Sequence, residues 1–195
     1  MTTLPAAIED RLRELPAGLR DHIQRAREVG QELAQRHGVD VSLADQGIAA
    51  HDLARALKSE ALLKEARRYR RRVGAIERSE PLLLHGAVAA LWLQRQDGIE
   101  DEQILEAVRW HTTGRKGMGL VAKVVFLADK LDPRKVERFP YLKGVSRLAR
   151  HSLDQALLEF LNYELDYFLK EGILIHPASV ELRNELILAV GHGGT

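Results

Sequence analysis

Apolar side chains recur at three- and four-residue steps along almost the whole chain, and that period commits it to helices. Leu19, Ile23, Ala26, Val29 and Leu33 set the pattern in a segment that ends near Gly38. Such spacing draws one apolar stripe down a helix. A shorter amphipathic piece over residues 6–15 precedes it and is stopped by Pro16. Ser42 is positioned to cap a third helix running through Leu57, and a fourth covers residues 61–69. Pro81 opens another that reaches about Gln96, and Asp101 caps the next, which ends near His111. Residues 112–119 hold three glycines and read as a loop. Helices are predicted again over residues 120–131, 152–170 and 177–190. No segment sustains the period-two alternation of a half-buried strand, although residues 172–175 are ambiguous. The fold class is all-α.

The 195 residues suit one domain with a sizeable core: residues 18–190, preceded by a helical extension over 1–17 and followed by a short tail over 191–195. The 29 basic and 28 acidic residues almost cancel, which argues against a nucleic-acid partner. With no cysteine, disulfides, thiolate zinc sites and cysteine nucleophiles are excluded. The opening Met-Thr-Thr-Leu-Pro has no signal-peptide character, and the apolar stretch 121–128 is short and carries Lys123. A cytoplasmic location without membrane contact is the expectation.

The informative residues are polar groups on apolar faces. His22 shares its face with Ala26, Val29 and Leu33; His85 lines up with Val88, Ala89 and Trp92; His111 follows Ile104, Ala107 and Val108. His51 and Asp52 follow Ile48, Ala49 and Ala50, and Asp129 closes the run Val124-Val-Phe-Leu-Ala128. One such histidine is usually a hydrogen-bonded core residue. Five segments each aiming a nitrogen or oxygen donor inward are another matter, because metal ions offset the burial of unpaired lone pairs. Imidazole and carboxylate without thiolate suit iron, manganese, zinc or nickel and argue against calcium. Four histidines and two aspartates exceed the needs of one tetrahedral zinc. Asp52, beside His51, can bridge two ions, and ions about 3.5–4 Å apart clamp a phosphoryl group.

The ordered set His22, His51-Asp52, His85, His111, Asp129 resembles the HD-domain phosphohydrolase superfamily in its two-metal form. Pro81-Leu-Leu-Leu-His-Gly86, Trp110-His-Thr-Thr-Gly-Arg115, Ala128-Asp-Lys-Leu-Asp-Pro133, and Ile175-His-Pro177 through Arg183-Asn184 look like its bacterial symmetrical dinucleoside tetraphosphatases, the YqeK family. That resemblance implies an HD-domain helical bundle with the metal pair in its core. It implies hydrolysis of diadenosine tetraphosphate to two ADP by a metal-bridging hydroxide, with two divalent ions, iron first and manganese or another transition metal as alternatives. Asp52 and Arg55 are then the catalytic candidates, Arg55 standing where the family usually has Lys. Thr113, Gly114, Arg115, Lys123, His176 and Arg183 are candidates for substrate binding, and Arg134 and Arg138 compete for one further role. The basic run 67–72 is either a polyphosphate attractor or a solvated face. His37, His151 and His192 look like residues without a role. Two alternatives stay open: an HD-type nucleotidase acting on mononucleotides or guanosine polyphosphate alarmones, and a nucleotide sensor without turnover. A homodimer is compatible with the chain but is not read from it.

Overall fold

The computed structural model describes residues 2–191, and within them the chain is helical with no strand. The helices are α1 (Ala6–Glu14), α2 (Ala17–Arg36), α3 (Val41–Ala50), α4 (Ser59–Arg68), α5 (Ala75–Ser79) and α6 (His85–Arg95). They continue as α7 (Glu102–Trp110), α8 (Leu120–Lys130), α9 (Pro133–Arg138), α10 (Leu142–Ala149), α11 (Leu153–Glu171) and α12 (Pro177–Gly191). The expectation for His192 and for most of the tail falls outside the described residues. Among the described residues, no helix is long and apolar enough to cross a membrane.

Several local outcomes differ from the sequence reading, each for a visible reason. Asp40, rather than Ser42, caps α3: one carboxylate oxygen accepts from the backbone N–H groups of Ser42 and Leu43 at 2.8 and 3.0 Å. From the N-cap position the Asp40 carboxylate reaches the N–H groups two and three residues on, which have no partner inside the helix. That helix also stops at Ala50 instead of running through Leu57, because residues 53, 55 and 57 bond three residues back and tighten into turns. Pro81 begins a 3-10 turn, Pro81–Leu84, and α6 starts only at His85. The ambiguous stretch after α11 is a connection, begun by Gly172 in the left-handed region (φ 66°) where glycine carries no steric penalty. The short helices α5, α9 and α10 are additional to those read from the sequence.

Two apolar clusters fill the interior. One joins α8, α10 and α11 with one side of α2 and includes Phe126, Leu127, Leu157 and Leu161, all fully buried. The other joins α1, α4, α6 and α7 through Ile8, Leu62, Leu93 and Leu105. The N-terminal extension therefore packs its Ile8 and Leu15 into the same core as the rest. Helix α8 is the axis of the arrangement, lying against α2, α3, α7 and α11 with nearly every side chain buried. The polar candidates come together at its C-terminal end.

Candidate metal centre

Four of the five segments deliver their donor at a helix end. His51-Asp52 follows α3 directly, His85 is the first residue of α6, His111 follows α7, and Asp129 is the penultimate residue of α8. Carbonyls at such ends have capacity left over from the backbone ladder, and imidazoles use it. The Nδ1 of His51 lies 2.6 Å from the Ile48 carbonyl, that of His85 is 2.5 Å from Leu82, and that of His111 is 2.8 Å from Val108. Each Nδ1 is thus the N–H donor, which leaves each Nε2 as a bare acceptor pointing inward. His22 is the exception. It sits inside α2 and sets its Nδ1 2.6 Å from a carboxylate oxygen of Asp132.

The inward atoms fall into two groups joined by Asp52. One oxygen of Asp52 faces His85 and His111 at 3.0 and 3.6 Å; the other faces His51 and His22 at 3.4 and 4.0 Å. Asp129 completes the second group, with one oxygen 3.1 Å from His22 Nε2 and 3.8 Å from His51 Nε2. Donor atoms of His22, His51 and Asp129, and those of His51, Asp52 and His111, each lie within 4.8 Å of one another.

The residues fit a cation. His51 Nε2 is buried with no hydrogen-bond partner, and the Nε2 atoms of His85 and His111 face each other at 2.8 Å although both rings carry their proton on Nδ1. Two lone pairs so close repel unless a positive charge accepts them. Electrostatics agree. Burial opposes the charge of Asp52, and its carboxyl, held well below the usual range, calls for positive charge on the side of His51, His111 and His85, the place a cation would take. Asp129 behaves likewise, burial being overcome by Lys130, Lys135 and His22. Burial pushes His111 down to about 4, despite its contact with Asp52, so its ring is a neutral donor at pH 7.

A cavity of about 340 Å³ opens onto this cluster. Its floor is Asp52, His85, His111 and Asp129, and its apolar wall is Leu82, Leu83, Phe168, Ile173 and Leu174. Exposed Arg55, one turn beyond Asp52, lines it, together with buried Thr113 and half-buried His176. His176 Nδ1 accepts from Ala178 N–H at 3.2 Å, so the ring proton is on Nε2.

Other expected substrate residues are held elsewhere. Lys123 pairs with Asp154 at 2.5 Å, Arg115 with Glu106, and Arg183 donates to Asn162 at 2.6 Å. Arg138 stacks on Phe139 at 5.1 Å, and exposed Arg134 contributes its backbone N–H to Asp132. Gly114 is needed for packing: with φ 66°, a Cβ there would come within 2.3 Å of Leu182. In the basic run, Arg71 is committed to Glu77 at 2.6 Å and Arg68 lies 3.6 Å from Glu65.

Four contributors escaped the sequence reading. Lys130 and Lys135 donate to the two oxygens of Asp129 at 2.7 and 2.6 Å, and Asp132 and Arg25 stand behind His22. Asp132 and Lys130 lie in the same sequence word as Asp129, and Arg25 lies one turn beyond His22, so a signal existed for those three. Lys135 arrives through α9, an element the periodicity did not reveal.

A family comparison now identifies the class: residues 19–134 match the HD domain, and the chain belongs to that family of hydrolases. Two relatives named as symmetrical bis(5'-nucleosyl)-tetraphosphatase are similar over most of their length. That of Bacillus subtilis is 33% identical, the match covering 80% of this chain and 82% of the relative. That of Halalkalibacterium halodurans is 30% identical, covering 83% and 84%. A crystal structure from Clostridium acetobutylicum, solved as a predicted HD superfamily hydrolase involved in NAD metabolism, superposes with a TM-score of 0.89 at 27% identity, covering 94% of this chain and 96% of that one.

Proposed function

We propose that this chain cleaves a dinucleoside tetraphosphate symmetrically, diadenosine tetraphosphate to two ADP, and that its six donors hold two divalent ions, iron first. The observation that carries the two-ion reading is Asp52, whose two oxygens face different histidine pairs. His22, His51, Asp52 and Asp129 would hold one ion; His85, His111 and Asp52 the other. The names of the two similar relatives support the substrate.

Divalent ions bound there supply Lewis acidity and lower the pKa of a coordinated water. The chain's own side chains hold the substrate. Arg55 and the Nε2–H of His176 stand around the cavity as donors to phosphate oxygens, and Lys135 would join them where a bound cation takes over the Asp129 oxygen it holds. Lys130, half-buried against Asp129 and over the Phe126 ring at 4.8 Å, adds fixed positive charge. The wall of Phe168, Ile173 and Leu174 offers an apolar surface to a nucleoside and sheds water from it. Hydrolysis joins a water oxygen to an inner phosphorus and breaks its bond to the central bridging oxygen, so symmetrical products require the tetraphosphate to be held in register between the donors.

Incubation with diadenosine tetraphosphate and iron(II) or manganese(II), followed by anion-exchange separation, tests this. ADP as the single nucleotide product is the expected result. ATP with AMP defeats the symmetrical assignment, and a dominant release of phosphate from mononucleotides moves the chain to the nucleotidase reading.

A further inference from the structure

The four histidines are not oriented in the same way. His51, His85 and His111 donate Nδ1–H to main-chain carbonyls three residues back, and no side-chain replacement removes those acceptors. His22 is the sixth residue of the twenty in α2, where the carbonyls are already engaged in the helical ladder. It must find its acceptor outside its own helix, and it finds Asp132.

Asp132 is itself held from several sides. It is 2% exposed. One oxygen accepts from Arg25 Nε at 2.8 Å and from the backbone N–H of Arg134 at 2.9 Å. The other accepts from Arg25 Nη2 at 2.8 Å as well as from His22 Nδ1 at 2.6 Å. The fork of Arg25 fixes the plane of the carboxylate, and the start of α9 fixes its position. A carboxylate behind an imidazole sets the tautomer and makes the opposite nitrogen a stronger donor.

We propose that Asp132, clamped by Arg25, is the positioning residue for His22, and that the two ion positions therefore differ in kind. The position served by His22, His51, Asp52 and Asp129 depends on a side-chain relay; in the position served by His85, His111 and Asp52, both rings are aimed by backbone carbonyls. The inference rests on the two-ion reading above. Loss of the relay lowers affinity at one position and spares the other.

The test is a titration of manganese(II) into the metal-stripped full chain, with free manganese followed by its EPR signal. The variants are Asp132→Asn, Asp132→Glu and Arg25→Met, with thermal melts of the metal-free proteins in parallel. Asparagine keeps the cap at α9 and the side-chain volume while removing the charge. The wild type is expected to bind two ions. Asp132→Asn should weaken one of them by about 10–100-fold and leave the second unchanged. Arg25→Met, which keeps the carboxylate but frees it, should shift the same ion by less, and Asp132→Glu should recover part of the loss. Two ions of unchanged affinity in Asp132→Asn, or equal weakening of both, overturns the relay. A wild-type capacity of one ion overturns the two-ion reading instead, so the two failures are distinguishable. Arg25→Met keeps the test decisive if Asp132→Asn folds poorly.

Discussion

Gly86 follows His85 on α6 and is buried against α7. A Cβ there would lie 2.6 Å from the Val108 carbonyl oxygen and 2.9 Å from both Cε1 and Nδ1 of His111. The obstacle is backbone plus a ring held by that same carbonyl, and neither is the free end of a flexible side chain. Gly86→Ala must therefore push α6 from α7 or break the bond that aims His111. Overpacking of this kind costs about 1–3 kcal/mol, and a buried hydrogen bond broken on one side costs a further 1–3 kcal/mol or so. Alanine in a helix returns at most about 1 kcal/mol. Where both costs are incurred, the net expectation is destabilisation of about 1–5 kcal/mol, together with weakened metal binding at the His85–His111 pair. Urea unfolding of the metal-free protein measures the first, and manganese titration the second. A variant as stable as the wild type or more so, with unchanged metal affinity, would show that the helix term dominates and would refute the packing argument.

Three further expectations concern other groups. Arg55→Ala should lower kcat on the order of 10²-fold, with metal content intact, while Arg55→Lys keeps much of the activity; silence in both variants makes Arg55 a solvent-facing residue. Lys135 holds the Asp129 oxygen nearest His22 at 2.6 Å and so competes with a cation for it; Lys135→Met should tighten manganese binding to the apoprotein, and a weakened affinity would contradict this. Burial opposes the charge of Asp45, but Arg27 and Thr2 donate to it and lower its pKa below the ordinary 3.8. Because the folded-state value is the lower one, its stabilisation is present above about pH 4 and fades as pH falls through that lowered value. The gap in urea midpoint between wild type and Asp45→Asn should then narrow below pH 4, and a gap that widens there reverses the sign.

Much of the molecule was legible without coordinates. The apolar steps of Leu19, Ile23, Ala26, Val29 and Leu33 specify a helix wherever they occur, and α2, α7, α8 and α11 lie close to where such steps place them. The short elements were not legible. Helix α9 has six residues and none of them buried, so it has no apolar stripe to read. The donors were legible one by one as polar residues in apolar company, because burying such groups without partners is costly.

What the linear chain determined alone was composition and period: helices, no thiolate chemistry, and six imidazole and carboxylate donors destined for the interior. Which donors share an ion, and which cations face them, depended on the packing of α2, α3, α6, α7 and α8. Lys123, two turns before Asp129 on the same helix, turns outward to Asp154, whereas Lys135 reaches Asp129 from the next element. Periodicity reports only which side of one helix is buried. It carries no information about what the neighbouring helix brings to that side, because those distances are set by side-chain interlocking between segments far apart in sequence.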